Sequence, residues 1–273
     1  MRTVFSKKTV KLAQLSVVGI TLGLAAPAMA DELTADQIVE KAYCAAFYPG
    51  DDSYAEMNMV ITDGQGRKQD RELIMLRRDE PTDKCGDQQF YAYFKRPADV
   101  QKMRFMMWKE KGKEESRWLY LPALDTVKRI SAADKRTSFA GTHFFYEDMS
   151  GRVLTADTHK LASTTDNYYV IESTPKNDKE VEFKYYKMFI HKTSFLPIKS
   201  EFYDRAGKVY RTFEAKKVET IEGHPTVTHA VVTDTKIGGS TEAKTSKVKY
   251  NIKIEKDIFT ERYLRQIPTK YVK

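Results

Sequence analysis

The chain has 273 residues, 46 of them basic and 38 acidic, for a formal net charge of +8. Hydrophobic residues make up 41% and aromatic ones 12%, which argues for a folded chain with a sizeable core and against disorder. Lysine and arginine are scattered among acids rather than gathered in a stripe, which excludes a nucleic-acid-binding protein; weak peripheral contact with an anionic membrane surface is the most this charge supports.

Residues 1–30 read as a signal peptide. Arg2, Lys7, Lys8 and Lys11 form a positive n-region, and Leu12 to Ala26 is an apolar stretch too short for a good membrane span. Ala28-Met29-Ala30 fits a small-x-small cleavage site, so the mature chain is expected to begin at Asp31. The alternative is an uncleaved anchor. Removing residues 1–30 leaves 273 − 30 = 243 residues with 42 basic against 38 acidic side chains, a net of +4. That length suits one large β domain or two small ones; without a composition break, a single domain over 31–273 is the simpler expectation.

The predicted elements begin with a helix. Thr34-Ala-Asp-Gln37 is a capping box, Ile38, Ala42 and Ala45 follow at helical spacing, and Pro49-Gly50 ends the run. Strands dominate the rest of the chain. Ala55 to Ile61 alternates in polarity, Asp63-Gly-Gln-Gly66 turns the chain, and Arg71 to Arg78 returns. Gln89–Lys95, Met103–Lys109 and Ser116–Leu121 come next. Later strands are expected at Asn167–Ser173, Val181–His191, Pro197–Tyr203, Val209–Val218, Thr226–Thr235 and Lys244–Ile254. About eleven strands joined mostly by short hairpins argue for a mainly β fold, an antiparallel meander. With few helices to cover so large a sheet, the sheet must curl around its own inner face, and such a fold tends to enclose a cavity.

Cys44 and Cys85 are the only cysteines. An even count in an exported chain argues for a disulfide tying the helix to the early strands; the alternative is two free buried thiols. Several strands carry apolar residues on both faces. Phe90, Ala92 and Phe94 oppose Tyr91 and Tyr93; Met103, Phe105 and Met107 oppose Met106 and Trp108; Leu119 and Leu121 oppose Trp118 and Tyr120. Phe183, Tyr185 and Phe189 share one parity further on. The alternative to a cavity lining is an ordinary packed core, which methionine and phenylalanine fill equally well.

Catalytic signatures are absent from the sequence. HExxH, GxSxG, a P-loop and GxGxxG do not occur. His143, His159, His191, His224 and His229 include no zinc-helix pair, and the odd spacing of His224 and His229 puts them on opposite faces of a strand. Glu147-Asp148 with Arg152 reads as a surface ion-pair cluster rather than an acid site. The expectation is a non-enzyme without metal or cofactor.

Three segments resemble one family. Arg117-Trp-Leu-Tyr-Leu-Pro-Ala-Leu-Asp-Thr-Val-Lys-Arg-Ile130, Phe139-Ala-Gly-Thr-His-Phe-Phe-Tyr-Glu-Asp148 and Asp257-Ile-Phe-Thr-Glu-Arg-Tyr-Leu264 are similar, in that order, to segments of LolA-like outer-membrane lipoprotein-sorting proteins. The chain is longer than LolA proper, and Thr142-His143 stands where many relatives have Ser-Asp. The resemblance implies an incomplete antiparallel β-barrel with a small helical lid and a hydrophobic interior. It implies a periplasmic carrier of lipid or lipoprotein cargo, partnered by an inner-membrane RND-type transporter, and a monomer is the simplest expectation. Their shared parity makes Phe90, Phe94, Met103, Phe105, Met107, Leu119, Leu121, Phe183, Tyr185 and Phe189 the expected lining. A second reading is an interaction or sensor module that docks on a membrane protein through Trp108, Trp118 and Tyr120, with Tyr91 and Tyr93 beside them.

Overall fold

The computed structural model describes residues 32–80 and 85–272. The expected signal peptide and its cleavage site lie outside the described residues. Helix α1 (Ala35–Phe47) starts at the predicted capping box: Gln37 N donates to Thr34 Oγ1 at 3.3 Å and Thr34 N to Gln37 Oε1 at 2.9 Å. Its buried stripe of Ile38, Val39 and Ala42 packs against Ile171 and Ile190. It stops before Pro49 and Gly50, which turns at φ +68°. Arg77 donates to the carbonyls of Phe47, Pro49 and Gly50 at 2.6–2.7 Å, and Gln88 Nε2 donates to Phe47 O at 2.7 Å. A buried guanidinium thus satisfies the orphan carbonyls at the negative end of the helix. Cys44, in the last turn, is bonded to Cys85 with Cα atoms 5.5 Å apart.

Among the described residues, thirteen strands form one antiparallel sheet. They are β1 (Asp52–Asp63), β2 (Lys68–Asp79), β3 (Gln88–Arg96), β4 (Arg104–Lys109), β5 (Ser116–Leu121), β6 (Thr126–Ile130) and β7 (Asp157–Thr164). The remaining six are β8 (Tyr168–Pro175), β9 (Tyr185–His191), β10 (Pro197–Tyr203), β11 (Val209–Ile221), β12 (His224–Asp234) and β13 (Gly239–Tyr250). The sheet order is β6-β5-β4-β3-β2-β1-β13-β12-β11-β10-β9-β8-β7. Two meanders therefore share one seam, β1 against β13, running from Ser53 opposite Tyr250 to Asp63 opposite Gly239. Gly239 is required there, because a Cβ would stand 2.0 Å from the Thr62 carbonyl oxygen. The sheet stays open. Its edges β6 and β7 are consecutive in the chain, and residues 131–156 join them.

The eleven predicted strands are present, with shifted ends: β9 begins at Tyr185 rather than Val181, and β13 ends at Tyr250. The two strands that sequence patterning misses, β6 and β7, are the two edges. Neither offers an apolar alternation to read: Thr126–Ile130 is mostly exposed, and the inward positions of Asp157–Thr164 are Asp157, His159 and Leu161, two of them polar.

Both faces of β2–β5 are covered by the chain itself. On the inner face, Leu73, Phe90, Phe94, Phe105 and Met107 pack against Phe139, Phe144 and Tyr146 of the 131–156 link. The Phe139 ring lies 5.7 Å from Phe94, 5.4 Å from Phe105 and 5.6 Å from Tyr146. On the outer face, residues 254–272, including helix α3 (Glu261–Arg265), bury Ile258, Phe259 and Val272 against Ile74, Leu76, Tyr91 and Tyr93. Leu264 packs against Met106 and Tyr120.

Candidate ligand cavity

A cavity of about 400 Å³ lies between α1 and the inner face of the second meander and the adjoining β1. Val39, Ala42, Tyr43, Ala46 and Phe47 of α1 form one wall. Met57 and Met59 of β1, Phe213 of β11, Ala230 and Val232 of β12 and Ala243 of β13 form the facing wall. The i, i+2 spacing within β1 and β12 is what brings paired residues to one face. Met188, Leu196 and Phe202 close the β9–β10 side. Met149, at the end of helix α2 (Tyr146–Ser150), adds a fourth methionine. Where α1 crosses the link the approach is close: a Cβ at Gly151 would stand 2.5 Å from Phe47 Cε2. Tyr43 OH and Lys109 Nζ both donate to the Ser150 carbonyl, at 3.1 and 2.9 Å. Burial pulls the Lys109 ammonium down to about 8.

The polar wall comes from the link and its neighbours. Glu147 is 5% exposed and pairs with Arg136, with Arg152 at 3.3 Å and with Lys135 at 3.9 Å. Arg136 continues to Glu182, and Arg152 to Asp157 at 2.8 Å. Asp157 accepts from Tyr186 OH at 2.9 Å. Arg211, 2% exposed, pairs with Asp148 at 2.5 Å, donates to His143 O at 3.0 Å and lies 4.3 Å from the Phe145 ring centre. Burial pushes the Glu182 carboxyl up, but the hydrogen bond and charge of Arg136 outweigh it and hold the group at about 2. Burial and Asp157 together push the Tyr186 phenol up. Arg136, Glu147, Asp148, Arg152 and Arg211 all line the cavity. The expected surface cluster at Glu147 and Asp148 is thus a buried network, because α2 turns both carboxylates inward onto three arginines.

None of the ten expected lining residues lines this cavity. Phe90, Phe94, Met103, Phe105 and Met107 do face inward, and Leu119 and Leu121 pack beside them, but the Phe139–Tyr146 segment fills the space in front of them. Phe183 is buried with Tyr186 and Tyr210 behind the ionic wall. Tyr185 and Phe189 have the opposite parity to Tyr186 and Met188, which line the cavity. They face outward, Tyr185 stacked on Tyr203 at 4.4 Å and Phe189 under the Lys199 ammonium. The reason is a one-residue offset in β9, which exchanges the two faces of a strand. The candidate docking stripe is likewise occupied. Trp108 Nε1 donates to Phe259 O at 2.8 Å, Tyr91 OH to Tyr263 O at 3.0 Å, and Trp118 packs on Trp108 at 5.0 Å beside Leu264. Sequence reasoning missed Met57, Met188, Phe213 and Val232. Their alternation was visible; their position under α1 was not.

The three sequence segments acquire separate structural roles. Arg117–Ile130 makes β5, a turn at Pro122 and β6. Phe139–Asp148 plugs one half of the interior and supplies two acids to the other, and His143 N anchors it by donating to Thr241 Oγ1 at 2.9 Å. Asp257–Leu264 covers the outer face of β3–β5. Among the described residues, no group of acids, histidines and cysteines could hold a metal ion, and no helix is long and apolar enough to cross a membrane.

A protein-family model described as "Uncharacterized protein" matches residues 86–266. Among solved structures, a DUF1329 family protein from Desulfovibrio piger is similar at 25% identity and a TM-score of 0.74, covering 83% of this chain and 95% of that one. A domain assigned to outer membrane lipoprotein sorting from Vibrio parahaemolyticus has 24% identity and a TM-score of 0.74, over 85% of this chain and 98% of that one. A LolA superfamily protein from Nitrosomonas europaea has 20% identity and a TM-score of 0.63, over 85% and 100%. No curated protein matches the chain by sequence.

Proposed function

Since the chain belongs to that uncharacterized family and is LolA-like in fold, we propose that it is a periplasmic carrier holding a lipid or the lipid moiety of a lipoprotein. The single observation behind this reading is the cavity of about 400 Å³ with four methionines in walls otherwise largely apolar. Thioether side chains adapt to greasy ligands of variable shape. Each acyl methylene exposed to water costs about 0.8 kcal/mol, so a chain of roughly sixteen carbons costs on the order of 10 kcal/mol to leave a membrane unaided. A lined cavity offsets that cost during transit, and α1, hinged at its Cys44–Cys85 end, is the cover past which cargo enters and leaves.

In this reading residues 1–30 direct export, residues 31–273 act as one domain, and the carrier works as a monomer. It moves cargo between an inner-membrane transporter of RND type and the outer membrane. No catalytic step is assigned. Glu147 is paired with three cations and Asp148 with Arg211 and the Phe145 backbone N–H, the arrangement of a structural ion network. The docking-module reading is weaker, because residues 254–272 would first have to leave the outer face of β3–β5.

The test is recovery of the protein from the periplasm, native mass spectrometry and analysis of extracted lipid. Acyl-bearing adducts lost on extraction are expected. A ligand-free protein that takes up no acyl compound from vesicles overturns the reading.

A further inference from the structure

We propose that the wall of the cavity contains a slot for one extended peptide segment, between β12 and β13, where two facing strand edges have no ladder between them. This goes beyond the carrier reading and stands or falls apart from it.

Strands β12 and β13 pair from Thr233 opposite Ser240 to His229 opposite Lys244, and there the ladder stops. Both strands go on. Residues 224–228 of β12 stay paired to β11, from Val227 opposite Val218 to His224 opposite Ile221. Residues 245–250 of β13 run on beside β1, as far as Tyr250 opposite Ser53. Among the described residues no backbone hydrogen bond joins 224–228 to 245–250. Bulges lie close to this point on both sides. The β11–β12 register shifts between Ala215 and Val218, and the β1–β13 register shifts between Tyr54 and Glu56, near Lys247 at φ +49°. A bulge bends its strand and ends pairing, so the two bends part β12 from β13.

The far end of the split is bridged by side chains. Thr226 Oγ1 and Tyr250 OH lie 2.7 Å apart, the His224 ring stands edge-on to Tyr250 at 4.8 Å, and Tyr250 N donates to a Glu222 carboxylate oxygen at 2.9 Å. Thr226 and Val227 on one bank and Thr245 and Tyr250 on the other line the cavity. The split is therefore a seam in the cavity wall.

Backbone edges carry N–H and C=O groups that need partners. An extended chain supplies both kinds at strand spacing along both banks, as in strand addition to a sheet edge. Because β12 and β13 are antiparallel, an inserted strand is parallel to one bank and antiparallel to the other. Its side chains point alternately into the cavity and outward. Main-chain pairing thus fixes the partner as an extended polypeptide, and the cavity favours apolar side chains at the inward positions. The open edges β6 and β7 are the competing places for such a strand, but no residue of either lines the cavity.

The experiment adds to the mature protein a fluorescein-labelled peptide of alternating threonine and valine, about five residues long and flanked by lysines for solubility. One peptide per chain is expected, with amide exchange slowed in 224–228 and 245–250 and unchanged in β6 and β7. Methylating alternate backbone nitrogens of the peptide should weaken binding at least about tenfold, because one bank loses its donors. Thr226→Cys with Tyr250→Cys, joined by a short bismaleimide, should abolish binding, and the same variant before joining should bind. Should that pair fail to fold, Tyr250→Phe keeps the ring, drops the bridge to Thr226 and should bind about fivefold tighter. Slowed exchange in β6 or β7 instead, equal binding of the methylated peptide, binding undiminished by the staple, unchanged affinity of Tyr250→Phe, or no binding at all overturns the slot. Acyl uptake by the same protein tests the carrier reading separately. A protein that takes up acyl chains and no peptide loses the slot alone, and one that binds peptide and no acyl chain loses the carrier alone.

Discussion

The two meanders have the same topology and opposite interiors. Strands β2–β6 face a folded-back segment whose Phe139, Phe144 and Tyr146 rings complete a core, while β9–β13 together with β1 border an unfilled space under α1. The difference teaches that a curled sheet makes a cavity only where nothing in the chain returns to fill it. Both halves are rich in aromatic rings: Tyr43, Phe47, Phe144, Tyr186, Phe202, Phe213 and Tyr250 border the empty one, among methionines, alanines and valines. An aromatic-rich face is thus a poor guide to a binding face when a neighbouring loop is also aromatic.

The sharpest way to break this comparison is to remove a ring from each half. Phe139→Ala should cost about 4 kcal/mol, since Phe94, Phe105 and Tyr146 all lose a packed neighbour. Phe213→Ala, in the cavity wall, should cost roughly half as much and weaken ligand binding. Denaturant unfolding of both variants measures the gap, and equal costs would mean the halves are equally filled. Next comes the clamp on α1. Cys44→Ala with Cys85→Ala opens a 41-residue loop and should cost about 3–4 kcal/mol, with hydrogen exchange rising first in α1 rather than in β3–β5.

Glu147→Gln leaves Arg136 and Arg152 short of a buried counter-charge and should cost about 3 kcal/mol; an unchanged melting midpoint would show that water reaches that wall. Acid titration probes the same network. The Glu182 carboxyl is held at about 2 against an ordinary 4.5, so the unfolded chain binds more protons in that interval. Its contribution is complete above about pH 4.5 and is lost as pH falls toward about 2. Glu182→Gln should flatten the stability profile within that window and nowhere else. The smallest effect is expected outside the sheet. Tyr185→Ser breaks an outward-facing stack on Tyr203 and should cost about 1 kcal/mol. Ligand affinity should stay the same; a changed affinity would put Tyr185 back on the inner face.

Much of the architecture was legible. Thr34 and Gln37 announced α1, Asp63 to Gly66 announced the first hairpin, and alternation in β3–β5 assigned Phe90, Phe94, Phe105 and Met107 to the correct face. Strands β6 and β7 were not legible: β6 is mostly exposed, and β7 alternates in burial but turns Asp157 and His159 inward, so no apolar period of two shows. Phe189 was misplaced because both faces of β9 are apolar, so parity there has no preferred sign. The ionic wall was visible as residues and invisible as a wall. Arg211 lies 63 positions from Asp148, and no local pattern signals such a pairing.

The sequence by itself determined which residues share a side: capping, turns and alternation act over two to four positions and can be read from spacing. Only the tertiary structure decided what stands opposite each side. Phe139 against Phe94, residues 254–272 over Trp108 and Tyr91, and α1 over Met57 and Val232 are contacts between segments far apart in the chain. Spacing tells a strand which way its side chains point. It carries no information on whether a distant segment has reached that space first, and that decides between core and cavity.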